Sequence, residues 1–208
     1  MKFVKGMEIS LIAAAILLLL LLPSAAVAGP ALETVKMQTD NVLKVLRDPA
    51  LRPESARSTK TAKIRSISEK MFDFTELSKR TLGKNWDTFS PEQQMEFVRL
   101  YRSLLEDTYA DRILAYTDEK IVFTKEVPLT EKTLEVQSTV LRKSGEIPIY
   151  YRVILKSGSW RVYDVIIEGV SLISNYRSQF KEILINKAPE SLLETLRKKS
   201  GKSRSVQR

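Results

Sequence analysis

The stretch WRVYDVIIEGVSLISNYRSQF, residues 160–180, passes from strand to helix through a single glycine. Trp160 to Ile167 is rich in aromatic and β-branched side chains, with apolar residues on both faces, as in a strand covered on two sides. After Gly169 the period lengthens: Val170, Ile173, Arg177, Phe180 and Leu184 fall on one stripe, with Leu172, Tyr176 and Ile183 beside it. Strand and helix together carry more apolar surface than two ordinary packing faces need. The fold turns on what that surface covers.

Upstream, KIVFTKEV (120–127), KTLEVQSTVLRK (132–143) and IPIYYRVILK (147–156) alternate, or nearly so, at period two. The links PLTE, SGE and SGS are short enough only for hairpins, so the neighbours are antiparallel. Leu134, Val136 and Val140 against Glu135, Gln137 and Thr139 give one strand a core face and a wetter face.

Before residue 118 the period is helical. Leu32, Val35, Val42, Val45 and Leu46 mark a first helix, RDPALRPESARS a proline-broken loop, and Ile64, Ile67 and Met71 a second helix. A short helix carrying Phe74, Leu77 and Leu82 ends at Gly83. Ser90-Pro91-Glu92-Gln93 then starts a long one, with Ser90 as cap, Pro91 in the first turn and Gln93 completing a capping box. Its stripe runs through Phe97, Leu100, Tyr101, Leu104, Leu105, Thr108 and Tyr109. Pro189 opens a last helix through Leu192, Leu193 and Leu196. Helices, a four-stranded antiparallel meander and helices again predict an α+β domain, with the helices packed on one face of the sheet.

The N-terminus reads as a leader. Lys2 and Lys5 precede an apolar run from Ile9 to Leu22, Pro23-Ser24 break it, and Ala26-Val27-Ala28 is the small-x-small pattern of a cleavage site. The run is shorter than the ~18 apolar residues of a spanning helix. The expected organisation is a cleaved signal peptide over 1–28, one domain over 29–196 and a basic disordered tail over 197–208. The formal charge of +9 is concentrated in that tail, which holds six basic residues and no acid. Weak attraction to anionic headgroups is one use for it, at about 1 kcal/mol per basic residue; a solvated end is the other. It has no aromatic residue on which a base would stack, so no nucleic-acid partner is expected.

Absences narrow the chemistry. With no cysteine and no histidine, the chain has neither a disulfide framework nor a histidine-based triad, and no imidazole or thiolate for zinc. It carries no GxGxxG or Walker pattern. No catalytic residue, metal or cofactor is expected.

Several blocks in order resemble one family: Phe72-Asp73-Phe74, Leu82-Gly83 with Trp86, and Trp160-x-Val-Tyr-Asp164 running into Glu168-Gly169-Val170-Ser171. They are similar to the MlaC, or toluene-tolerance auxiliary, family over about residues 32–196. The resemblance implies a periplasmic lipid carrier that holds a phospholipid by its acyl tails in an apolar cavity between sheet and helices. It implies as partners an inner-membrane ABC transporter with an MCE-domain ring, an outer-membrane lipoprotein complex and transient contact with membrane surfaces.

On that reading the tail-facing residues are Phe74, Leu77, Leu82, Tyr101, Leu104, Leu105 and Tyr109 from the helices. Tyr151, Val153, Tyr163, Val165 and Ile167 come from the sheet, and Val170 and Ile173 from the last segment. Each also fits a plain packed interior. Lys79 and Arg80 fit either a lipid phosphate or a solvated helix face. Two alternatives stay open. Asp164 with Tyr163 fits a proton-transferring pair acting on an apolar substrate as well as a fold-fixing contact to Arg152, Arg177 or a backbone amide. The cargo is a phospholipid or a hopanoid-type lipid.

Overall fold

The computed structural model describes residues 29–116 and 119–206, so the expected leader lies outside the described residues. Helix α1 (Pro30–Arg47) starts on a proline whose missing N–H costs nothing there, and buries Ala31, Leu32, Val35 and Thr39 along one face. The proline-broken loop winds into two 3₁₀ turns, Pro49–Leu51 and Glu54–Ala56, before α2 (Arg57–Met71). Helix α3 (Phe74–Leu82) is capped by Asp73, which accepts the Glu76 amide at 2.9 Å, and ends at Gly83 with φ 55°. That left-handed φ is one that glycine adopts without steric cost. A 3₁₀ stretch, Gly83–Thr88, leads to α4 (Pro91–Leu114), where the capping box forms as expected: Gln93 N–H donates to Ser90 Oγ at 3.3 Å and Ser90 N–H to Gln93 Oε1 at 3.1 Å.

Strands β1 (Lys120–Thr130), β2 (Thr133–Arg142), β3 (Gly145–Lys156) and β4 (Ser159–Ile167) form the expected antiparallel meander, and β5 (Val170–Ser171) adds a fifth strand in sequence order. The four-stranded expectation is corrected by this short edge. Glu168 (φ 50°) and Gly169 (φ 82°) form a tight hairpin turn that lays Val170 and Ser171 back on Ile167 and Ile166. Only then does α5 (Leu172–Leu184) begin, capped by Ser171. Helix α6 starts at Pro189 and runs to Val206.

The outer edge of β4 is covered twice. Phe72 makes a parallel bridge to Val162, with Asp73 N–H donating to Val162 O at 2.9 Å, while β5 pairs with the C-terminal half. Between these the register slips. Val162 stands opposite Val153 and Asp164 opposite Arg152, so Tyr163 is an extra residue in a bulge. Trp160, Val162, Val165 and Ile167 therefore share one core, and Tyr163 belongs to another. The two-sided apolar character of 160–167 follows from this one-residue slip.

The interior divides accordingly. One core joins α1 and the end of α2 to the sheet through Ala31, Leu32, Val35, Met71, Val136, Val153, Val162 and Val165. The other is built mainly by α3 to α6 and takes Tyr163 from the sheet. Phe72 packs against both.

Candidate functional site

The sheet-side core is only partly closed. Around its buried valines lie half-buried apolar side chains: Phe123, Leu134, Ile149, Tyr151, Trp160, Ile167 and Leu172. The Phe123 and Tyr151 rings stack at 6.3 Å. Within this apolar face sits a small polar spot under α1, where the Tyr151 hydroxyl stands near the hydroxyls of Thr39 and Ser138. Ser138 Oγ donates to Ile149 O at 2.8 Å, and Thr39 Oγ1 to Val35 O at 2.9 Å. Burial pushes the Tyr151 phenol up, so it stays a neutral donor and acceptor. Beside the C-terminal half of α1, Asp40, Leu43, Lys44, Arg47 and Asp48 line an open cleft of about 510 Å³. That cleft is mostly charged; the apolar surface is the half-buried rim around Phe123, Ile149 and Trp160, the kind of lining that suits apolar ligands.

The helix-side core is denser. The Tyr101 ring lies 5.2 Å from both Tyr176 and Phe180 and 5.4 Å from Phe97, and burial drives its phenol well above the usual range. Its hydroxyl meets Thr81 Oγ1 at 3.4 Å. The expected tail-facing residues are thus divided. Tyr151, Val153, Val165 and Ile167 lie in the sheet-side core. Leu77, Leu82, Tyr101, Leu104, Leu105, Tyr109, Tyr163 and Ile173 lie in or against the helix-side core. Phe74 stacks on Phe72 at 5.5 Å, at the junction of the two, with the Arg102 guanidinium 5.1 Å from the centroid of the Phe74 ring.

Val170 is the exception: it is 58% exposed, because the hairpin turn at Glu168–Gly169 places it on β5 and not on α5. Its expected place on the helical stripe is corrected to the edge strand. Sequence reasoning also passed over Leu32 and Val35 of α1, Phe72, Phe123 and Ile149. The α1 stripe through Leu32 and Val35 is legible in the sequence and needs a surface to cover; Phe123 and Ile149 join it through strand register, both pairing with Ser138 on the same face as Val136.

Asp164, 1% exposed, is held from three sides. Ser171 Oγ donates to Oδ2 at 2.6 Å, Ile173 N–H donates to Oδ1 at 3.1 Å, and Arg152 Nη1 stands 3.7 Å from Oδ2. The Ser171 hydroxyl also accepts the Ser174 amide at 3.1 Å, so acid and serine together cap α5. The fold-fixing account of Asp164 is therefore the one with partners in place. Arg177 is elsewhere, donating to Arg80 O at 2.6 Å. Burial raises the Tyr163 phenol against the opposing pull of Arg80 and Arg152. Arg80 lies 4.1 Å over the Tyr163 ring and bonds Glu76 at 2.6 Å, while Lys79 is exposed. Among the described residues no group of three acidic side chains stands together as a metal site.

Comparison with known proteins gives three concordant findings. The family model described as MlaC protein matches residues 36–198. The intermembrane phospholipid transport system binding protein MlaC of Haemophilus influenzae is 27% identical over 119 residues, 55% of this chain and 56% of that protein. The match thus spans about half the length of that curated relative. A phospholipid-binding protein from Ralstonia solanacearum, solved in complex with a phospholipid, superposes with a TM-score of 0.74 at 25% identity, covering 84% of this chain and 99% of that one. With the family model spanning α1 to α6 and the same α+β architecture in a solved relative, this chain belongs to the MlaC protein family.

Proposed function

We propose that this chain is a non-enzymatic lipid carrier of the periplasm, which takes up a phospholipid by its acyl tails and shuttles it between an inner-membrane ABC transporter with an MCE-domain ring and an outer-membrane lipoprotein complex. The leader over 1–28 is removed on export, and residues 29–196 act as one lipid-binding domain. The observation that carries this reading is the similarity, over nearly the whole length of the solved relative, to a protein captured with a phospholipid.

The physical chemistry agrees. A buried methylene is worth about 0.8 kcal/mol, so a tail of ~16 carbons loses roughly 12 kcal/mol on entering water. A carrier must replace that contact with apolar surface, and needs no covalent step to do so. The half-buried rim of the sheet-side core supplies such surface, and α1, which covers that core, is the element whose parting from the sheet would open it. The test is native mass spectrometry of protein purified from the periplasm, followed by solvent extraction. A stoichiometric adduct of diacyl phospholipid mass is the expected result. A hopanoid mass would move the cargo to another lipid class. A mass without adduct, unchanged after incubation with phospholipid vesicles, would overturn the carrier reading.

A further inference from the structure

The first turn of α1 is capped from another element. Gly29 offers no side chain, and Glu126 of β1 takes that place: its Oε2 accepts the Leu32 amide at 2.9 Å. The carboxylate stands so close that a β-carbon at Gly29 would lie 1.7 Å from Oε1. Standard bond lengths then put the Gly29 nitrogen within about 4 Å of that oxygen. In the unprocessed chain this nitrogen is an amide. Hydrolysis of the Ala28–Gly29 bond adds one water, leaving a carboxylate on Ala28 and an ammonium on Gly29, whose ordinary pKa near 8 keeps it charged at neutral pH.

We infer that removal of the leader creates an ion pair between the new Gly29 ammonium and Glu126, and that this pair latches α1 onto β1. The device works because Glu126 meets two needs at once. An ammonium alone at a helix N-terminus opposes the helix dipole; a carboxylate there favours it, and the pair leaves the favourable charge in contact with the Leu32 amide. Glycine is the residue that lets both approach, since a side chain would displace the carboxylate. Helix α1 covers the sheet-side core with Ala31, Leu32 and Val35, so the latch sets how firmly that face is closed in the processed protein and leaves it looser in the precursor. The inference rests on leader removal after Ala28, and not on the identity of the cargo.

The experiment compares full-length mature chain, released from a cleavable fusion so that Gly29 is first, with the same chain retaining Ala26-Val27-Ala28. Hydrogen exchange of the Leu32–Thr39 amides is read in both, and again in a Glu126→Gln background, which keeps an acceptor for Leu32 but no charge. Exchange about fivefold slower with a free Gly29, and no such difference in the Glu126→Gln pair, is the expected result. Equal exchange in the first pair, or an undiminished difference in the second, would overturn the latch. N-terminal sequencing of exported protein separates the other premise: a start at Gly29 supports it, and any other start removes the ammonium and with it the inference.

Discussion

At the scale of single residues, the strongest local constraint is Asp164. A carboxylate buried to this degree is tolerated because Ser171, the Ile173 amide and Arg152 meet both of its oxygens, and because it stands at the N-terminus of α5. A catalytic acid or base would need an oxygen free to face substrate; here both are committed to the fold. Replacing it leaves the buried Ile173 donor unmatched and frees the cap. Asp164→Ala is therefore expected to lower the free energy of unfolding by about 3 kcal/mol, measured by urea denaturation. The fraction of folded protein that carries lipid should stay unchanged. A stability near that of the parent would remove the structural account. Composition and chemistry alone left two roles for Asp164, since a strand acid among Val165, Ile166 and Ile167 fits either. What decided between them is a contact between β4 and the start of α5, which no local pattern encodes.

At the scale of elements, periodicity locates whatever is long and one-sided. Helix α1, helix α4 with its capping box and the four-stranded meander follow directly, because each repeats its pattern over several turns or residue pairs. Strand β5 does not, since two residues carry no period, and the bulge at Tyr163 hides as a strand apolar on both faces. The Phe72-Asp73-Phe74 block shows how a short segment joins elements: Phe72 edges β4, Asp73 caps α3, and Phe74 stacks back on Phe72. Asp73 also ties α3 to β3 through Lys156 at 2.9 Å. Burial pushes the Asp73 carboxyl up, but the Glu76 amide and the Lys156 ammonium outweigh it and hold the group below the ordinary carboxylate range. A lowered native pKa stabilises the fold above the unfolded value near 3.9 and loses that contribution as pH falls through the native value. Asp73→Asn should thus cost about 1 kcal/mol at pH 7, measured by chemical denaturation, with the difference shrinking steadily below about pH 4. A cost that stays constant down to pH 2.5 would show that the charge plays no part.

At the scale of the whole molecule, the two cores differ in how easily they open. The helix-side core packs Phe180 edge to face on Phe97 and Tyr101, and Tyr176 edge to face on Tyr101, with Phe97 and Tyr101 tilted, and a tail entering there must break aromatic contacts on several sides. The sheet-side core is mostly valines under α1 and the end of α2, with half-buried rings at its rim, so parting α1 from the sheet sacrifices less. The resemblance pointed to a cavity between sheet and helices but gave no means of sorting cavity wall from packed interior, because both are apolar at the same spacing. The chain carries its own probes for that distinction, since its two tryptophans fall one in each core: Trp86 in the helix-side core and Trp160 against the sheet-side core. Loading on the sheet side changes the surroundings of Trp160 and leaves those of Trp86 as they were. With Trp86→Phe, so that Trp160 alone emits, adding dioleoyl phospholipid vesicles to delipidated protein should shift the emission to shorter wavelength. With Trp160→Phe, so that Trp86 alone emits, it should not. The reverse pattern would place the tails among α3 to α6 and make α1 a fixed part of the fold.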